Sequence, residues 1–400
     1  MLPLEHITIL DLTRLAPGPH CTMILGDLGA DILKIEEPGP PTGRRAEQAA
    51  GQATQWKIAG IDRYSPFNAL NRNKRSMGLN LKSDAGREIF YRLAQTADVV
   101  VEEFRPGVAT RLGIDYDTLK PMNPRLIYCA VTGYGQTGPY SQMVGHDINY
   151  IAMAGALGIM GPSDGPPTIP HNLIADFAGG GMHAAIGVLA ALMARERTGQ
   201  GQMVDIAMAD GVLNLQVALL ANYFGMGTVP QRGATLLDGA APFYNVYQTS
   251  DDRWISIGAI EPWFYANLCK ALGREDFIAY EFDRDRWPEI RQAFRDIFRT
   301  RTRQEWCELL TQTDVCVGPI YSYDELEHDP HLQAREMVIT VDHPEVGAVK
   351  QVGISYKLSD TPGQVRSLAP RQFEHTNDVL HGLGYSAIEI DTLRHAGVVK

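Results

Sequence analysis

The sequence predicts an α/β protein, a parallel sheet covered by helices, with a smaller α+β domain further along the chain. Three observations predict it. Through the first third, short β-rich runs alternate with helix-length amphipathic stretches, the rhythm of βαβ units. Near 225–240 the composition changes, and a hairpin pattern followed by three helices takes over. After about 330 the chain resumes short strands. A length of 400 residues suits two or three domains and a sizeable core.

The elements follow in order. Residues 7–12 are β-rich, and Pro17-Gly18-Pro19 opens a helix running to Leu28. A second strand covers 31–35. The spacing of Ile89, Phe90 and Leu93 predicts a helix over 84–97, followed by strands at 99–101 and 126–131. The stretch 46–64 is polar and weakly patterned, a surface loop. Residues 176–197 read as a long helix whose first turn holds three glycines, then a strand at 203–208 and a helix at 211–224. In the middle part, 242–247 and 254–257 form a hairpin across Ser250-Asp251-Asp252, with helices near 263–272, 287–298 and 304–310. The tail carries strands at 338–341 and 351–355 and a helix near 376–382.

Composition excludes several classes. Apolar residues make up 44% and charged residues 21%, ordinary values for a globular chain. The 36 basic against 47 acidic residues leave a net charge of −11, which argues against general nucleic-acid binding. The five cysteines are odd in number and form no CxxC pair, so a disulfide framework is not expected and a reducing compartment is. The start lacks a basic segment before an apolar one, and no apolar run reaches membrane-spanning length. The expected setting is cytoplasmic, or mitochondrial matrix or peroxisome in a eukaryote, with no membrane partner.

The chemistry concentrates in Gly145-His146-Asp147-Ile148-Asn149-Tyr150 and Ala175-Asp176-Phe177-Ala178-Gly179-Gly180-Gly181. An imidazole and two carboxylates stand beside glycines that admit a bulky ligand close to backbone. Two chemistries are open: attack of a carboxylate on a thioester, or proton movement across a carbon held between imidazole and carboxylate. Nearby, Gly133-Tyr134-Gly135-Gln136-Thr137-Gly138 fits GxGxxG after a strand. However, Pro139-Tyr140-Ser141 follows where a helix should open, and no acid closes a second strand, so an ordinary Gly-rich turn is the reading. A metal site from His146, Asp147, His171, Asp176 and His183 matches no ligand spacing, and none is expected.

At these residues the chain resembles the family III CoA-transferases, the CaiB/BaiF family, and among them the members that act as racemases. The resemblance runs through Asp11-Leu12-Thr13-Arg14-Leu15-Ala16-Pro17-Gly18-Pro19, Leu28-Gly29-Ala30-Asp31, Asn73-Lys74-Arg75-Ser76 and Phe104-Arg105-Pro106-Gly107-Val108. It continues in the two segments above and in Gly258-Ala259-Ile260-Glu261-Pro262. It implies an interlaced homodimer with a Rossmann-like large domain. Residues 1–225 would supply its N-terminal part, 226–330 the small α+β domain, and 331–400 the return to the large domain.

The same resemblance implies roles. His146 and Asp176 would be the opposed acid and base of a racemase. Asp147 would hold the thioester and enolate, or, in a CoA-transferase, act as the nucleophile that carries CoA as an aspartyl thioester. Glu261, from the partner's small domain, would orient or tune the imidazole. Arg75, Arg111, Lys74 and Arg105 would meet the CoA phosphates, with Ala16, Gly145 and Tyr150 bordering the CoA arm. The expected reaction is epimerisation at C2 of a 2-methyl-branched acyl-CoA, with no cofactor beyond the CoA of the substrate. The alternative is CoA transfer to a carboxylic acid through Asp147. The stretch 44–70 looks longer than the racemase pattern, which favours the alternative. A non-catalytic acyl-CoA binder is the third reading.

Overall fold

The computed structural model describes residues 1–39 and 65–400; the loop expected at 46–64, and with it most of the 44–70 stretch, lies outside the described residues. Two compact units emerge. The first comprises Met1–Ala154, His171–Leu215 and Ala334–Lys400, and the second Gly155–Pro170 and Gln216–Gln333. The smaller unit therefore begins ten residues before the 226 read from composition, and it also takes 155–170.

In the first unit six strands form one sheet: β1 (Thr8–Asp11), β2 (Asp31–Glu36), β3 (Lys74–Gly78), β4 (Val99–Glu102), β5 (Ile127–Thr132) and β6 (Met203–Ala207). Every pairing is parallel and the order is β3-β2-β1-β4-β5-β6. This is the doubly wound order, which places ligands beyond the carboxyl ends of the strands where the order reverses, between β1 and β4. Successive side chains face opposite sides of the sheet. Leu10, Leu33 and Val100 enter one core with Phe90, while Ile9, Ile32, Val99 and Val101 enter another with Val188. Nothing in 74–78 reads as a strand, because the polar Lys74 and Ser76 are buried there and Met77 is its one buried apolar side chain.

The helices are α1 (Pro17–Asp27), α2 (Asp84–Ala94), α3 (Val108–Leu112), α4 (Tyr116–Leu119), α5 (Asp147–Met153), α6 (His183–Thr198) and α7 (Met208–Leu215). The Ser83 hydroxyl caps α2 by accepting from the Gly86 amide at 3.1 Å. The expected long helix over 176–197 is present with a different start. Leu173–Met182 is a π-helix that runs directly into α6. Together they form a 26-residue apolar helix, long enough to span a bilayer by length and composition, contrary to the expectation that no segment was. Here it packs on α1 and on the sheet. The tail adds an antiparallel hairpin (Val338–His343 with Gly347–Val352) and helices over Thr376–Gly382 and Ala387–His395.

In the second unit the helix expected over 211–224 is broken at Gln216, and its latter half is α8 (Val217–Met226). A three-stranded antiparallel sheet, β7 (Tyr244–Gln248), β8 (Trp254–Gly258) and β9 (Val317–Ile320), packs with α9 (Pro262–Ala271), α10 (Trp287–Phe298) and α11 (Arg303–Thr311). Its core is aromatic, with Tyr247 stacked on Phe298 at 4.8 Å and Phe298 edge-on to Trp306. Thr302 and Glu305 close a capping box at the start of α11.

Candidate active site

His146 immediately precedes α5, and Asp147 is its first residue. The amide of His146 donates to the side-chain oxygen of Asn149 at 3.0 Å, which fixes the loop ahead of the helix and leaves the imidazole exposed. Asp147 turns the other way. One of its carboxylate oxygens, Oδ2, accepts from the amides of Ala175 at 2.7 Å and Asp176 at 2.9 Å. Those amides lie in the first turn of the π-helix, where backbone donors lack an intrahelical acceptor, so Asp147 caps that helix from outside. The residue is 5% exposed, and its second oxygen, Oδ1, is buried without a partner among the described residues.

Asp176 is half-buried, and its Oδ2 accepts from the Asn172 side chain at 2.9 Å. Burial pushes its carboxyl above the usual carboxylate range and Asp147 adds to that rise, while Asn172 and His146 oppose it. His146, Asp147 and Asp176 thus share one electrostatic neighbourhood. What brings the π-helix so close to α7 is a pair of glycines: a Cβ on Gly211 would stand 2.1 Å from the Gly179 carbonyl.

Tyr150 forms the floor beneath this turn. Its hydroxyl donates to the Gly145 carbonyl at 2.6 Å, and its ring meets Tyr134 edge-on at 5.1 Å. A Cβ on Gly133 would stand 2.3 Å from that ring, so the first glycine of the GxGxxG pattern makes room for Tyr150. Burial pushes the Tyr150 hydroxyl up to about 12, with Arg105 among the charges that oppose the rise. Arg105 is exposed, and among the described residues it has no ion-pair partner.

The cations expected on CoA divide into two groups. Arg111 lines a cavity of about 300 Å³ with Leu12, Arg14, Glu37, Asn80 and Lys82, beyond the carboxyl ends of β1 to β3. Ala16 lies between β1 and α1 at the same edge. Lys74 is elsewhere. Its ammonium is fully buried and donates to Asp11 at 2.9 Å, Thr22 at 2.7 Å and the Pro19 carbonyl at 3.2 Å. All three N–H groups are committed, so none remains for a phosphate. Burial favours neutral Asp11, yet Lys74, Lys34 and the Thr13 hydroxyl hold its carboxyl well below the usual range. Arg75 forms a bidentate pair with Asp31 (2.6 and 3.0 Å), the first residue of β2, and so sits at the amino end of the strands. Both cations, expected on the CoA phosphates, are thus bonded to carboxylates of their own sheet, apart from the cavity that Arg111 lines.

Glu261, in the second unit, stands at the N-cap of α9 with its carboxylate making no cap bond. It faces Glu281, whose Oε1 is buried without a partner among the described residues and whose carboxyl is pushed up to about 7 by burial, then by Glu261. Sequence reasoning did not single out Glu281, which lies in a segment with no motif. Among the described residues no three His, Cys, Asp or Glu side chains gather closely enough to hold a metal ion.

Residues 4–376 match the CoA-transferase family III, and the chain belongs to that family. It is 36% identical over 401 residues to the α-methylacyl-CoA racemase of Homo sapiens, covering 100% of this chain and 98% of that one. It is equally 36% identical, over 420 residues, to the formyl-CoA:oxalate CoA-transferase of Streptomyces coelicolor, covering 99% of each. A CAIB/BAIF family protein from Brucella suis has a similar structure, with a TM-score of 0.79, 29% identity, and coverage of 96% of this chain and 99% of that one.

Proposed function

We propose that this enzyme inverts C2 of a 2-methyl-branched acyl-CoA by moving one proton between two side chains. The observation that carries the reading is the placing of His146 and Asp176 in one electrostatic neighbourhood, while Asp147 is spent on the backbone amides that anchor Asp176. One of the pair removes the C2 proton and the other returns a proton to the opposite face. The raised carboxyl of Asp176 suits it to hold a proton nearer neutral pH than an exposed aspartate does. The amides of Asp147 and Ile148 at the start of α5, ahead of the first intrahelical bond, can steady the enolate oxygen. Arg111 and Arg105 take the CoA phosphates, with Ala16, Gly145 and Tyr150 along the arm. No cofactor beyond the substrate's own CoA is required. The test is incubation with a single epimer of a 2-methylacyl-CoA in D2O without acceptor acid. Deuterium entry at C2 with loss of stereochemical purity supports the reading, and a C2 proton that never exchanges overturns it.

The second reading is CoA transfer to a carboxylic acid, favoured by the equal likeness to a formyl-CoA:oxalate CoA-transferase. In that reaction the geometry favours Asp176 over Asp147 as nucleophile, because Asp147 is buried and bonded to two amides. Exchange of CoA onto added carboxylates, lost in Asp176→Asn, would mark it.

The working form is proposed to be a homodimer, with Glu261 of one copy serving the other. No residue of α8 is buried, although Val217, Phe224 and Met226 are 67%, 75% and 70% exposed. Such an apolar helix calls for a cover.

A further inference from the structure

Glu103 follows the last residue of β4, and its side chain crosses to the loop between β1 and α1. There its Oε1 accepts from the amide of Arg14 and, at 2.5 Å, from that of Leu15. The preceding amide, of Thr13, donates to Asp11 at 2.9 Å, and the Thr13 carbonyl accepts from the Lys34 ammonium at 2.9 Å. The successive amides of residues 13, 14 and 15 are thus turned to two carboxylates of the chain. A Cβ on Gly18, in the first turn of α1, would stand 2.4 Å from Thr13 Cγ2 and 2.8 Å from Glu103 Oε2. That glycine leaves the room that the carboxylate and the loop fill. The sheet order reverses between β1 and β4, so Glu103 ties the two sides of the crevice in which doubly wound sheets hold their ligands. The segments it joins are also walls of the cavity that Arg111 lines. Leu12 and Arg14 come from one, Phe104, Val108 and Arg111 from the other.

We infer that Glu103 is a positioning residue for CoA: by holding the Arg14 and Leu15 amides it fixes the loop after β1 against the segment that carries Arg111, and so sets the width of the cavity between them. The inference rests on the CoA contact proposed for Arg111. In a dinucleotide-binding sheet, amides of this first loop and helix face the phosphates of the ligand. Here the amides of Arg14 and Leu15 face Glu103 instead. The phosphates are left to side chains, and the part of the loop is to hold its wall of the cavity in place. Without the carboxylate, both amides lose their acceptor and the wall is free to shift away from Arg111.

The test titrates free CoA into the full chain by isothermal titration calorimetry, with urea unfolding of each variant beside it. Glu103→Ala has no acceptor for the two amides. Glu103→Asp stays charged but falls one methylene short of them, and Glu103→Gln keeps an oxygen at the right reach. The expected result is a Kd for CoA raised about tenfold in Ala and Asp, the scale of one charge-assisted hydrogen bond, and held within about twofold in Gln. If Asp and Ala bind CoA as wild type does, the inference is overturned, whatever their stability. If Ala does not fold, Asp against Gln decides it in the same way, and a Gln variant as weak as Asp overturns it too. Arg111→Ala in the same titration separates the two claims. If it binds CoA as wild type does, the CoA contact of Arg111 fails and the inference with it. If it weakens CoA while the Glu103 variants do not, the inference alone fails.

Discussion

The amide of Asp176 donates to the carboxylate of Asp147 at 2.9 Å, tying the first turn of the π-helix to the start of α5. The bond makes two neighbouring candidate residues unequal. Asp147 is an anchor with one oxygen spent on two amides, whereas Asp176 keeps a half-buried carboxyl bonded only through one oxygen to Asn172 among the described residues.

That difference is testable by substitution at 147. Asp147→Asn keeps an oxygen that accepts from both amides, whereas Asp147→Ala keeps none. The expected outcome is that Asn retains exchange to within about tenfold and Ala loses far more, with a stability loss of about 1–2 kcal/mol in urea unfolding, the scale of a lost helix cap. A nucleophilic Asp147 would instead make Asn as inactive as Ala in CoA transfer.

The cations separate by placement. Arg111→Ala is expected to raise KM for acyl-CoA about tenfold or more, since a charge-assisted bond to a phosphate is lost. Arg75→Ala, at the other end of the strands, should leave KM unchanged. Lys74→Met leaves buried Asp11 without its ion-pair partner, and should cost about 3–5 kcal/mol of stability. Steady-state kinetics and urea unfolding of the three variants check this.

Glu102, at the end of β4, is 3% exposed, and burial raises its carboxyl from 4.5 to about 8. A carboxyl raised by folding binds its proton more tightly in the native state. It therefore adds stability that is fully present below pH 4.5 and lost as pH rises through about 8. The expected outcome is a melting temperature that falls across this window in wild type and falls less in Glu102→Gln, read by differential scanning calorimetry.

The exposed α8 gives the fourth prediction. On the proposed dimer, Phe224→Glu should convert it to a monomer in sedimentation equilibrium and remove activity, as the role proposed for Glu261 requires. A wild-type chain that sediments as a monomer would remove the dimer from the account.

The sheet was legible in the sequence wherever its strands are apolar, as at 99–101 and 126–131. It was not legible at β3, where Lys74 and Ser76 are buried through pairing with Asp11 and Glu36 rather than through apolar contact. The glycines at 179–181 marked a loosened first turn, but not that a π-helix would form there. The residues that pack against it, His20, Asp147 and Gly211, lie far off in sequence. The pairing of His146 with Asp176 was expected from the family resemblance. The diversion of Asp147 and Lys74 to other partners was not, since spacing carries no record of which side chain a buried group will meet.

The most direct test of the central claim follows deuterium entry at C2 of each pure epimer of a 2-methylacyl-CoA in D2O, using His146→Ala and Asp176→Ala. Two opposed bases predict that each variant loses racemisation yet still exchanges one epimer, a different one for each, with retention. Equal loss of both epimers in both variants, or wild-type rates in either, would contradict it.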